Sequence, residues 1–194
     1  MSEAHRVVAP DFIGFGRSDK LTDVDAYSFE LHYETLRDFI AAIDLTDVTL
    51  VVQDWGGLLG LAYAARRPER IARLVILNTF LPTGEEEKSQ AFLAWHRFVE
   101  NTPDLPIGTV VRRGLAEPDR LSEAEEAAYD APFPTVESKA GAVAWPLLIP
   151  MNPDDPVAAA MRETRTRLAE WSKPAFELFA PGEPILGGAQ GFFR

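Results

Sequence analysis

One stretch constrains this chain more than any other. Val48-Thr49-Leu50-Val51-Val52-Gln53 is a β-branched apolar run with almost no polar alternation, and it passes through Asp54-Trp55-Gly56-Gly57 directly into the apolar run of residues 58–65. A strand that is apolar on both sides belongs in a parallel sheet with helices over both faces. Entry into a helix without an intervening loop is the first half of a strand–helix–strand crossover. Pro68 stops that helix, and residues 73–78 (Arg-Leu-Val-Ile-Leu-Asn) predict the next strand.

The flanking segments extend the pattern. Arg6-Val7-Val8-Ala9-Pro10 predicts an earlier buried strand that ends in the Gly-rich turn of residues 11–19. A helix is predicted from about Ser28, with Leu36, Phe39, Ile40 and Ile43 on one face. Strand, helix, strand, helix, strand is the order of an α/β fold with a doubly wound, mostly parallel sheet. From Glu85 to about Arg167 the chain is acidic, punctuated by proline and helical in pattern, with a capping box at Ser122-Glu123-Ala124-Glu125. Aromatic residues through it (Phe92, Trp95, Phe98, Tyr129, Phe133, Trp145) predict an inner side packed on apolar surface. Residues 173–179 return to strand character, and residues 182–187 form the exit turn. The expected division is a core at 1–80, a helical cap at 81–170, and a return to a core strand and acidic turn at 171–194.

Composition removes several classes of function. Thirty acidic against nineteen basic residues leave a formal charge of −11, which repels nucleic acid and anionic lipid. No apolar run approaches the roughly 18 residues that span a bilayer. The opening Met1-Ser2-Glu3-Ala4-His5-Arg6 lacks the apolar core of a signal peptide. With no cysteine there is no disulfide, thiolate ligand or thiol nucleophile. No close His/Asp/Glu set has metal-ligand spacing, and Gly14 and Gly16 do not open a dinucleotide fingerprint. A soluble cytoplasmic protein without metal or cofactor is expected.

The chemistry concentrates at Asp54. A sharp strand-to-helix turn presents its central side chain at the strand's carboxyl end, beside the free N–H groups of the helix. Gly56 is expected to allow the close approach that such a turn needs, against a bulky Val52. A carboxylate there can attack an electrophilic carbon and form an ester. The bland alternative is that Asp54 caps the helix, for which Asp is favoured. Trp55 tips the balance, because its indole N–H beside a nucleophile is a directed donor for a departing anion.

Residues Arg6-Val7-Val8-Ala9-Pro10-Asp11 with Gly14-Phe15-Gly16-Arg17-Ser18-Asp19, and Val51-Val52-Gln53-Asp54-Trp55-Gly56-Gly57, strongly resemble the haloalkane dehalogenases of the α/β-hydrolase superfamily. Ester-cleaving relatives usually place serine where this chain has Asp54. The resemblance covers essentially the whole chain. It implies an α/β-hydrolase-type fold and hydrolysis of carbon–halogen bonds through an aspartyl alkyl-enzyme ester, with a small halogenated alkane and water consumed and halide released. Asp54 would be the nucleophile, and Trp55 and Trp95 the two indole donors to the halide. Glu183 would be the triad acid, where the subgroup suggested by Trp95 usually has aspartate. Leu58, Phe92, Phe133, Pro134, Ile185 and Leu186 would line an apolar pocket. Each has a plainer alternative: Trp95 as a core aromatic, Glu183 as an exposed turn residue, the rest as packing.

The same resemblance implies parts that this sequence does not contain. The first strands with their His-Gly turn, the last strand, and the histidine that activates water against the ester are expected to be missing. His5, His32 and His96 are expected to be surface or packing residues. The chain is therefore expected to behave as a truncated, impaired dehalogenase with unpaired sheet edges open to self-association. Two other readings stand beside it. An epoxide hydrolase shares the aspartate but usually needs cap tyrosines, of which Tyr129 is the one available. A non-catalytic remnant would bind apolar ligands or associate with other chains.

Overall fold

The computed structural model describes residues 4–193; residues 1–3, on which the reading of the N-terminus partly rests, and residue 194 lie outside the described residues. In chain order the elements are α1 (Phe29–Ala42), β1 (Val48–Val52), α2 (Trp55–Arg66), β2 (Ile71–Leu77), α3 (Gln90–Glu100), α4 (Ile107–Gly114), α5 (Glu123–Asp130), α6 (Ala140–Leu147), α7 (Pro156–Leu168) and β3 (Ala175–Leu178). Five helices thus separate β2 from β3. The chain forms two compact units, Met1–Tyr27 with Val99–Pro146, and Ser28–Phe98 with Leu147–Arg194.

The second unit holds the sheet. Its strands run in the order β1-β2-β3, all parallel, as crossover connections dictate. Leu50 pairs with Leu74 and Val52 with Ile76 across β1 and β2, so these four share one face. That face lies beneath α2. A Cβ added to Gly60 would stand 2.6 Å from Val52 Cγ1, so the missing side chain of this glycine is what lets the helix settle on the bulky valine. Trp55 and every residue from Gly57 to Ala65 are buried, because α2 packs against the sheet, α7 and α1. An ion pair from Arg66 to Glu163, 2.7 Å, ties α2 to α7.

Local signals behave as expected in α1. Ser28 caps it by accepting the Leu31 N–H at 3.1 Å. Its buried side is Phe29, His32 and Ile40, with Leu36, Phe39 and Ile43 half-buried on the same stripe.

Two strand-level expectations are corrected. Residues 6–10 form no strand: they pair with nothing among the described residues, and Val7 is 60% exposed. An apolar run becomes a strand only where a neighbour completes its backbone hydrogen bonds. Helical cover over both faces of β1 is likewise not found among the described residues. The face away from α2 presents Val51, Phe176 and Leu178 at 56–59% exposure, and Val51, Val75 and Phe176 stand in one cross-strand row. The apolar character of β1 is as read from the sequence; its second face is open.

In the other unit, aromatic side chains do the packing. Phe15 meets Trp145 at 5.0 Å and Phe133 at 6.2 Å between ring centres, and Phe12 meets Trp145 at 5.3 Å. The Ser122–Glu125 capping box forms in full at the start of α5. Arg112 on α4 grips Glu126 on α5 at 2.5 Å. No helix among the described residues is long and apolar enough to cross a membrane.

Candidate active site

The turn between β1 and α2 carries the first candidate. Asp54 adopts φ 47° and ψ −127°, outside the regions that L-residues favour, a conformation that costs about 1–3 kcal/mol. Its carboxylate makes no capping hydrogen bond to α2 although it occupies the N-cap position. The capping alternative is therefore not what holds it. The side chain remains reachable from solvent while protein mass surrounds it. That burial pushes its carboxyl above the usual carboxylate range, the Trp55 N–H pulls in the opposite direction, and the negative charge of Glu183 adds to the rise.

Parallel strand order explains why Asp54 feels Glu183. The turns after β1 and β3 leave the sheet at the same carboxyl edge, with β2 between them. Glu183 is half-buried in its turn, and its carboxylate accepts the N–H groups of Ile185, at 2.9 Å, and Leu186. Both oxygens therefore point into their own turn.

The remaining sequence-predicted residues fall in different places. Trp55 is the first residue of α2 and is buried, and Leu58, one turn on, is 2% exposed. Phe92 and Trp95 lie on α3, Phe92 against the His96 ring at 5.9 Å and Trp95 against Phe98 at 5.9 Å. Ile185 is exposed and Leu186 half-buried in the Glu183 turn. Phe133 and Pro134 belong to the other compact unit, where Phe133 packs on Phe15. Of the histidines, His5 is exposed, His96 half-buried and His32 fully buried. Burial lowers the pKa of His32 to about 4. Among the described residues no group of three or more His, Asp or Glu side chains is placed to hold a metal ion.

Sequence reasoning missed the dipeptide that closes β2 and misassigned a glycine. Asn78 and Thr79 both bond to the Asp54 backbone: the Asp54 N–H donates to the Asn78 carbonyl at 2.8 Å, and the Thr79 hydroxyl donates to the Asp54 carbonyl at 2.7 Å. The signal was present as a polar pair ending an apolar strand, but nothing local tied it to a turn 25 residues earlier. Gly57, not Gly56, allows the close approach. A Cβ at Gly57 would lie 2.5 and 2.6 Å from Thr79 Cβ and Cγ2 and closer still to Oγ1, whereas one at Gly56 meets nothing within 4 Å.

Comparison with known proteins matches this geometry. A family model described as alpha/beta hydrolase fold matches residues 2–123. A haloalkane dehalogenase of Mycolicibacterium paratuberculosis is 45% identical over 185 residues, which cover 95% of this chain and 61% of that protein. Haloalkane dehalogenase 1 of Mycobacterium tuberculosis is 46% identical over 187 residues, covering 96% and 62%. Among solved structures, the tetrameric haloalkane dehalogenase DpaA from Paraglaciecola agarilytica NO2 superposes with a TM-score of 0.90 at 35% identity, covering 98% of this chain and 63% of that one. The chain thus spans a little over three-fifths of the length of these relatives. A parallel sheet, a strained aspartate at the strand-to-helix turn and these matches lead to one conclusion: the chain belongs to the alpha/beta hydrolase fold family, with haloalkane dehalogenases among its relatives.

Proposed function

We propose that this chain carries the nucleophilic half of hydrolytic haloalkane dehalogenation. An Asp54 carboxylate oxygen attacks the halogen-bearing carbon in line with the carbon–halogen bond. The C–O bond of an alkyl ester forms as that bond breaks, and halide leaves with the electron pair. Trp55 and Trp95 supply indole N–H donors to the departing halide, neutral donors that favour developing charge without holding the product tightly. Glu183 is the acidic partner of the site. Leu58, Phe92, Ile185 and Leu186 line the apolar pocket, and residues 81–170 act as the cap.

The observation that carries this reading is Asp54 itself: an aspartate held in strained backbone at the end of β1, making no side-chain cap to α2 and followed directly by tryptophan. The similarity to haloalkane dehalogenases at 45–46% identity supports the choice of electrophile. Hydrolysis of the ester requires a base to activate water. The resemblance gives that role to none of His5, His32 and His96, and His32 is fully buried on α1. The 194-residue chain is thus proposed to be alkylated and to stay alkylated. Epoxide opening is the weaker reading, since Tyr129, the tyrosine it would draw on, is 47% exposed.

Intact-mass spectrometry after incubation with a bromoalkane tests the proposal. The expected result is one added alkyl group per chain, with one equivalent of bromide released and no modification of Asp54→Asn. Absence of the adduct removes Asp54 as nucleophile, and sustained bromide release over many turnovers overturns the stalled ester.

We further propose self-association through the outer edge of β1, which pairs with no strand among the described residues, and the apolar face beside it. Light scattering on the purified chain decides this, and a monomer at all concentrations refutes it.

A further inference from the structure

The strained backbone of Asp54 needs something to hold it, and the end of β2 supplies that grip. Both peptide groups of Asp54 are engaged by consecutive residues, its N–H by the Asn78 carbonyl and its carbonyl by the Thr79 hydroxyl. The Asn78 side chain reaches the opposite way. Its Oδ1 accepts the Ala180 N–H at 2.8 Å and its Nδ2 donates to the Ala180 carbonyl at 3.3 Å. That carbonyl also accepts the Glu183 N–H at 3.2 Å. Two residues therefore bridge the turn that carries Asp54 and the turn that carries Glu183.

We infer that Asn78 and Thr79 are positioning residues for the nucleophile: Thr79 locks the Asp54 carbonyl, and Asn78 locks its amide and ties it to the Glu183 turn. This rests on the reading of Asp54 as nucleophile and goes beyond it, because it assigns a role to residues that bond to the Asp54 backbone and the Glu183 turn. The physical need is specific. A residue with φ near +47° relaxes toward ordinary backbone unless its surroundings over-determine it, and an ångström of drift at an attacking atom is costly in rate. Thr79 is fully buried and close enough to exclude any side chain at Gly57, so it has no freedom to turn its hydroxyl elsewhere. Asn78 offers both an acceptor and a donor to Ala180, a pairing that aspartate or leucine lacks.

The test compares Thr79→Val, which keeps the shape and removes the donor, with Thr79→Ser, which restores it. Single-turnover alkylation by a bromoalkane is followed by intact mass and bromide release. Thr79→Val is expected to slow alkylation at saturating substrate about tenfold, with the half-saturating concentration unchanged, in keeping with the loss of one hydrogen bond in the reacting geometry. Thr79→Ser is expected to recover most of the rate, and Asn78→Ala to show a smaller loss. Hydrogen exchange at the amides of residues 53–57 is read in parallel. It should quicken in Thr79→Val and return in Thr79→Ser. If Thr79→Val does not fold, Thr79→Ala takes its place. Wild-type rate and wild-type exchange in the donor-less variant overturn the inference. If the unsubstituted chain is not alkylated, the nucleophile reading fails on its own, and the exchange comparison still decides whether Thr79 holds the turn.

Discussion

Adding one methyl group to each of two adjacent glycines should change stability in opposite directions. Gly56 and Gly57 occupy successive positions in the first turn of α2. Replacing either by alanine removes the entropic penalty of helical glycine, a gain of up to about 1 kcal/mol. At Gly56 nothing lies within 4 Å of the new Cβ, so that gain is realised. At Gly57 the new Cβ falls 2.5 and 2.6 Å from Thr79 Cβ and Cγ2, where ordinary contact is 3.4–4 Å. Helix and strand are both fixed there, so relief requires a backbone shift costing about 1–3 kcal/mol. Displacing the Thr79 hydroxyl also breaks its bond to the Asp54 carbonyl, which keeps only the Gly57 N–H, for about another 1 kcal/mol. Gly57→Ala should therefore lose roughly 1–3 kcal/mol net, and the two variants should differ by about 2–4 kcal/mol. Urea unfolding at neutral pH measures this. Gly57→Ala should unfold at a clearly lower midpoint than the unsubstituted chain, and Gly56→Ala at an equal or higher one. Adding Thr79→Ala should relieve part of the Gly57→Ala loss, because the two residues share one space. Equal midpoints for the two alanine variants would refute the packing argument.

Three further outcomes follow from titratable groups that the fold shifts. The Asp54 carboxyl is raised in the folded state, so its ionised form opposes folding above that value. Asp54→Asn should be more stable than the unsubstituted chain at neutral pH, with the difference shrinking as pH falls through the raised pKa and native Asp54 takes up its proton. His32 titrates near 4 when folded and at 6.5 in an unfolded chain, so the unfolded state binds the extra proton between those values. Its contribution to stability should fall by about 3 kcal/mol from pH 7 to pH 4, read as a pH slope absent from His32→Gln, and as an imidazole titration near 4 by NMR. Burial alone would raise Glu86, but the Thr83 hydroxyl and N–H and the Arg165 ion pair outweigh it and hold the carboxyl low. That stabilisation is present above the unfolded pKa and lost as pH falls through the depressed one, so Glu86→Gln should cost about 1–2 kcal/mol near pH 7 and little in acid, by urea midpoint.

What adjacent residues decide was legible without coordinates. The apolar run into Asp54-Trp55 meant strand, sharp turn and helix; Ser28 and Ser122 marked helix starts; residues 173–179 contained β3. Hydrophobic period and turn chemistry are local properties, written within a few positions of where they act. Failures began where distant segments had to meet. Residues 6–10 looked like a strand, yet a strand exists only beside a partner. Gly56 and Gly57 are indistinguishable in sequence, and only the approach of Thr79 separates them. Asn78 and Thr79 showed nothing of their hold on Asp54 until the parallel pairing of β1 with β2 brought those strand ends together. Local order follows from the chain's own chemistry, whereas the setting of the candidate nucleophile depends on contacts between residues far apart in sequence, which only folding brings within bonding distance.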